Sequence, residues 1–178
     1  MRILSLDISL TSPGFAVIEL FDGNPRLIDV IHIKTDDSLS RGERLQHIEF
    51  ALTRFLNKHK PFDVIVREDF SSKFAFTQKA IYTAWGVCET VLSRYGYTFL
   101  NEINPKTMKL VIGGSGSAEK IDVETGVRKL LNLKEKFIFK KDDESDACGI
   151  ALAYLIAENK IPPLHPPKEK KKTARKKN

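Results

Sequence analysis

Arg2-Ile3-Leu4-Ser5-Leu6-Asp7-Ile8, then a Thr11-Ser12-Pro13-Gly14 turn, then Phe15-Ala16-Val17-Ile18-Glu19-Leu20-Phe21 is the stretch that decides the fold. The first run is rich in Ile and Leu, as a buried strand requires, and a carboxylate interrupts it near its end. The second run is apolar and short enough for another strand. Asp22-Gly23-Asn24-Pro25 is a strong turn signal, after which Arg26 to Lys34 alternates as a third strand. Two tight connections in succession predict an antiparallel meander.

Outward from the meander the pattern changes to helical period. Ser40 with Glu43 three residues on has capping-box spacing, and Leu45, Ile48, Leu52, Phe55 and Leu56 form one apolar stripe. Phe62 to Glu68 reads as a fourth strand. Because a helix precedes it, a right-handed crossover lays it parallel to a meander strand, most simply the first. A helix over about Thr77 to Arg94 and a fifth strand over Tyr97 to Ile103 follow. Pro105 opens a short helical stretch that runs into Gly113-Gly114-Ser115-Gly116-Ser117, and an amphipathic helix covers about Ala118 to Leu131. The last helix starts near Asp142, with Ala147, Ile150, Ala151, Tyr154 and Leu155 on one face. The order β-β-β-α-β-α-β-α-α predicts an α/β fold: a mixed five-stranded sheet with helices on both faces.

The chain has 178 residues, which suits one well-buried domain. The expected division is a domain over 1–160 and a basic, disordered tail over 161–178. Net charge is +6, and the first 160 residues hold 22 basic and 22 acidic side chains, so the excess lies wholly beyond Lys160. That tail suggests a polyanionic partner, although basic runs are often merely solvated. No apolar run reaches membrane-spanning length, and no signal peptide is read at the start; the expectation is a cytoplasmic protein with no membrane partner. Cys88 and Cys148 sit in apolar patterns as core thiols. No Cys or His spacing resembles a zinc site.

The chemistry is carried by acids placed where solvation would not put them. Asp7 interrupts an apolar strand, and Glu68 ends the fourth strand. Asp143 and Asp146 open the last helix at i, i+3 spacing and so share a face. Asp142 with Asp146 shares a face as well, so the choice between Asp142 and Asp143 stays open. If strands one and four are neighbours, Asp7 and Glu68 converge and the helix brings its pair alongside. Such a cluster repels itself unless cations occupy it. All-oxygen ligation suits Mg2+, with Mn2+ able to substitute. Two ions about 4 Å apart would support in-line phosphodiester cleavage. Each acid alone has a blander reading as a strand-end turn former, a solvated strand end or a helix N-terminal charge. All of these would have to hold together.

At these residues the chain resembles the RuvC family of Holliday junction resolvases, nucleases of the RNase H-like superfamily, from about Arg2 to Glu158. The motifs are Ile3-Leu4-Ser5-Leu6-Asp7 with Pro13 to Ile18, then Val64-Ile65-Val66-Arg67-Glu68. Pro105, Lys109 and Gly114-x-Gly116-Ser117-Ala118-Glu119-Lys120 with Val123 form the third, and Asp143-Glu144-Ser145-Asp146-Ala147 the fourth. The resemblance implies an RNase H-like fold and a homodimer that nicks two strands of a four-way DNA junction symmetrically. It assigns Asp7, Glu68, Asp143 and Asp146 to metal and catalysis, with Lys120 as a catalytic cation. Lys109, Lys120, Lys106, Lys73, Phe70 and Phe74 are the implied DNA contacts.

Two features depart from the family. Pro-Gly usually follows the first aspartate, where this chain has Ile8-Ser9 and a longer turn. An aromatic usually stands three residues after the glutamate, where this chain has Ser71 flanked by Phe70 and Phe74. These departures imply a divergent member, of a kind that phages carry, and leave open which Phe acts at the junction core. The rival functions are an RNase H-like nuclease cutting forks, flaps or structured RNA, and a non-catalytic junction-binding module. An actin-like ATPase also begins with a strand aspartate, but its phosphate-binding glycine repeats are missing. The sequence names no helicase partner and no preferred cleavage sequence.

Overall fold

The computed structural model describes residues 1–69, 74–98 and 100–165, apart from the side chain of Phe76. Its elements are β1 (Arg2–Asp7), β2 (Gly14–Phe21), β3 (Asn24–His32), α1 (Arg41–His59), β4 (Val64–Glu68), α2 (Ala75–Arg94) and β5 (Asn101–Ile103). They are followed by α3 (Pro105–Gly113), α4 (Lys120–Leu130) and α5 (Asp142–Ala157). The sheet order is β3-β2-β1-β4-β5. β1, β2 and β3 form the expected antiparallel meander, and β4 joins β1 in parallel with Leu6 opposite Arg67. β5 adds in parallel beyond β4.

Strand alternation sorts the core into two layers. Ile3, Ala16, Ile18 and Val66 face α3, α4 and α5, while Leu4, Leu6, Phe15, Val17 and Ile65 face α1 and α2. Helices therefore cover both faces, as the sequence predicts. Cys88 and Cys148 lie buried in opposite layers as free thiols. No helix among the described residues is long and apolar enough to cross a membrane.

Local chemistry explains the boundaries. The β2–β3 hairpin turns on Asp22 and Gly23 alone, at φ 49° and 75°, the left-handed pair of a tight two-residue turn. Asn24 and Pro25 therefore belong to β3, which tolerates a proline because it is an edge strand. Ser40 and Glu43 form the expected capping box at α1. β4 begins at Val64 rather than Phe62, and β5 at Asn101 rather than Tyr97. The Phe62 and Tyr97 rings pack together, and the Phe62 N–H donates to the Tyr97 hydroxyl at 3.0 Å. Their alternating apolar pattern serves a connection against the core, not a ladder. α5 differs from its expected one-sided face. It is buried nearly all round, because it lies on the sheet beneath α3 and α4.

Candidate active site

The parallel register sets the first pair of acids. Leu6 and Arg67 are partners, so Asp7 and Glu68 follow them at the carboxyl ends of neighbouring strands. Both lie on the α5 side of the sheet, two residues beyond Ser5 and Val66 on the same face. Ser5 fixes α5 there: its hydroxyl donates to the Ala147 carbonyl at 2.7 Å. Gly14, opposite Asp7, lets the helix start come close. A β-carbon at Gly14 would sit 2.1 Å from the Asp143 carbonyl oxygen.

The start of α5 also separates its acids. The Ser12 hydroxyl donates to Asp143 Oδ2 at 2.6 Å, holding that carboxylate toward the β1–β2 turn. Asp142 is exposed and takes Lys120 Nζ at 3.2 Å. Glu144 is buried and already committed, to His32 at 2.9 Å and to the Lys140 N–H at 2.8 Å. Asp146, one turn along, borders a cleft of about 210 Å³ with Glu68, Pro105, Met108, Lys109, Lys120, Val123 and Ile150. A larger hollow of about 380 Å³ lies between α1 and β3. Its one carboxylate, Asp29, is already bonded to Lys58 and His59.

The acids feel one another. Asp7 keeps some accessible surface, yet protein atoms surround its carboxyl. Desolvation first, then the charges of Glu68, Asp146 and Asp143, push its pKa well above the carboxylate range. Desolvation also leads for Glu68, helped by Asp146 and Asp69 against Lys109, and carries it to about 7. Asp146 rises to about 6, mainly through desolvation, with Lys120 opposing and Asp143 and Asp142 adding. Burial works against charge on Lys120 as well, but its bond to Asp142 and the charges of Asp146, Asp142 and Asp143 prevail and raise its pKa. It remains a cation suited to phosphate, not a base.

Among the described residues, no three Asp, Glu, His or Cys side chains stand close enough together to enclose an ion as they are. The donor set nevertheless fits a hard divalent cation: it is all oxygen, it is partly desolvated, and its excess negative charge is what such an ion compensates. This strain has a sign that can be measured. A carboxyl whose folded pKa lies above its unfolded value binds more protons folded than unfolded between the two, so stability falls as pH rises through that window. For Glu68 and Asp146 the window runs from their ordinary values of 4.5 and 3.8 to about 7 and about 6. In chelator at pH 8, Asp146→Asn is expected to be more stable than the wild type by on the order of 2 kcal/mol. That is roughly 4 to 8 °C in melting temperature. The gain shrinks toward pH 4, and melting curves at both pH values check it.

Of the expected DNA contacts, Lys109 and Lys120 border the cleft. Lys106 is exposed at the start of α3 and does not line it; its N–H is capped by Asn104 at 3.0 Å. Phe74 is 75% exposed at the N-cap of α2. Phe70 and Lys73 lie outside the described residues. Sequence reasoning missed Ser5, Ser12 and the His32–Glu144 pair. Their partners are far along the chain, and nothing in the local pattern marks them.

Residues 3–154 match the family described as crossover junction endodeoxyribonuclease RuvC. The protein of that name from Caldicellulosiruptor saccharolyticus is 32% identical over 167 residues, spanning 90% of this chain and 96% of the relative. The one from Orientia tsutsugamushi strain Boryong is 35% identical over 159 residues, spanning 89% and 96%. In fold, the chain resembles T. thermophilus RuvC in complex with a Holliday junction substrate, with a TM-score of 0.76 at 23% identity, covering 89% of this chain and 94% of that one. The fowlpox virus Holliday junction resolvase gives a TM-score of 0.57 at 21% identity, covering 89% and 99%. Because the family match runs through every strand and well into the helix that carries Asp143 and Asp146, this chain belongs to the crossover junction endodeoxyribonuclease RuvC family.

Proposed function

We propose that this chain is a divalent-metal-dependent endonuclease that resolves four-way DNA junctions by paired phosphodiester hydrolysis, acting as a homodimer. The observation that carries the reading is the side-by-side placement of Asp7 and Glu68 at two parallel strand ends, beneath the Asp143–Asp146 turn of α5. Asp7, Glu68, Asp143 and Asp146 would hold Mg2+, and Mn2+ can replace it. When bound, the metal supplies Lewis acidity and an activated water for in-line attack on phosphorus. The protein contributes position and charge. Ser12 and Ser5 orient the acids of α5, while Lys109 and Lys120 neutralise phosphate at the cleft mouth. Of the two adjacent aspartates, Asp143 is the ligand, because Asp142 is turned outward onto Lys120. One chain supplies one catalytic centre, so paired cuts on a two-fold substrate call for two chains related by symmetry.

Magnesium or manganese is expected to support cleavage. Calcium is expected to support junction binding with little turnover, because its looser coordination misplaces the attacking water. Gel-shift and cleavage assays in each ion check this, and robust cleavage in excess chelator would remove the metal from the reading.

The basic segment beyond Pro163 is proposed to capture DNA electrostatically. Truncation after Leu164 is expected to flatten the slope of log affinity against log salt by about 2 to 4 while saturating turnover survives. Superimposable slopes in a salt titration of both forms would leave that segment without this role.

A further inference from the structure

Arg67, the residue before Glu68, is absorbed by none of this chemistry, yet it is one of the most engaged side chains in the molecule. Strand alternation sends it to the opposite face from Glu68, toward α2. There its guanidinium lies 3.8 Å over the Trp85 ring and pairs with Glu89, both on α2. Its Nε and Nη2 also donate to Glu102 Oε1 on β5 at 3.0 and 2.7 Å. The side chain is only 11% exposed. One cation thus joins three elements at the very end of β4.

β5 depends on such a fastening. It is a three-residue edge strand, and α3 begins two residues after it, held by the Asn104 cap. Around Glu68 the attachments to β5 alternate. The Asn101 amide donates to the Ile65 carbonyl at 3.2 Å, Arg67 takes Glu102, and the Asp69 N–H donates to the Ile103 carbonyl at 2.9 Å. Beyond β5 the chain leads into α3, whose Lys109 borders the same cleft as Glu68. If β5 moves relative to β4, then the width of that cleft moves with it.

We infer that Arg67 is a positioning residue for the metal site: by clamping Glu102 of β5 to the end of β4, it fixes Glu68 relative to α3 and its Lys109. This rests on the reading of Glu68 as a metal ligand. The fork geometry matters because a planar guanidinium stacks on the ring while its separate N–H groups donate toward both carboxylates, a geometry that an ammonium reproduces only in part. Residues that orient a ligand without touching the ion typically change metal affinity or activity by 10- to 100-fold.

The test is Mn2+ binding to the DNA-free protein by electron paramagnetic resonance. It is read beside single-turnover cleavage at saturating junction, junction affinity and melting temperature. Arg67→Met and Glu102→Gln are each expected to weaken Mn2+ binding and slow the single-turnover step by roughly 10-fold, with junction affinity unchanged. Arg67→Lys is expected to recover part of both, and Glu89→Gln, which loosens only the α2 contact, to leave them near wild type. Glu68→Gln in the same titration separates the two ideas. Wild-type Mn2+ affinity there would overturn the ligand reading beneath the proposal. A weakened Glu68→Gln beside wild-type affinity in Glu102→Gln would overturn the positioning role alone. A Glu89→Gln variant as impaired as Glu102→Gln would overturn it too, since general loosening would then explain the loss. Should Arg67→Met fail to fold, Glu102→Gln decides the matter, because Glu102 is half exposed and its change to an isosteric amide disturbs little.

Discussion

Asp146→Asn is expected to fold, to bind a four-way junction at least as well as the wild type, and to cleave it about 1000-fold more slowly in magnesium. The size follows from what the carboxylate does. A metal-held transition state draws several kcal/mol from its ion, and each 1.36 kcal/mol lost is tenfold in rate. Asp146 borders the cleft with Glu68 and senses Asp143 and Asp142, so removing its charge leaves the ion a poorer cage. Binding should hold or tighten, because one negative charge no longer repels phosphate. Asp7→Asn and Glu68→Gln should behave alike. Asp142→Asn should retain most activity, since its carboxylate is exposed and paired with Lys120 at the edge of the acid group. Single-turnover cleavage with parallel gel shifts reads all four variants. Near-normal cleavage by Asp146→Asn would sink the assignment.

Gly14→Ala is expected to be as damaging by a different route. The added methyl would stand 2.1 Å from the Asp143 carbonyl oxygen and 2.8 Å from its carbon, both backbone atoms that no side-chain rotation can clear. Either β2 or the start of α5 must shift. Overpacking of this kind costs roughly 1–3 kcal/mol of stability. A displacement near 1 Å at a catalytic group can cost about 100-fold in rate. Because Asp143 and Asp146 ride on the displaced turn, the loss should appear in the cleavage step and in metal affinity more than in junction affinity. Denaturant unfolding and single-turnover kinetics on the same preparation check both. Wild-type rates in Gly14→Ala would show that the approach of α5 to the strand ends is not needed.

The meander, the α1 capping box and the out-of-place acids were legible because each is a local pattern: alternation, a Ser–Glu spacing, a carboxylate in an apolar run. Strand β5 was overread because Tyr97 and Leu100 carry the apolar rhythm of a strand while serving the core beside α1 and α2. What distinguishes Asp142 from Asp143 is their partners, Lys120 and Ser12, which lie far away in the chain and meet α5 only after folding. Gly14 stood in plain view within a motif, but its reason is a carbonyl 2.1 Å from a β-carbon it does not have. Arg67 was equally visible and equally mute, since its partners come from α2 and β5 and depend on the strand register.

In the function proposed above, these acids serve paired cleavage of branched DNA. Strand-by-strand mapping of the cuts on a four-way junction, with three-way, flap and linear duplex substrates alongside, tests it most directly. Magnesium-dependent nicks are expected at symmetric positions on two opposing strands of the four-way junction, with the other substrates cut far more slowly. Single unpaired nicks, or comparable cutting of linear duplex, would contradict it.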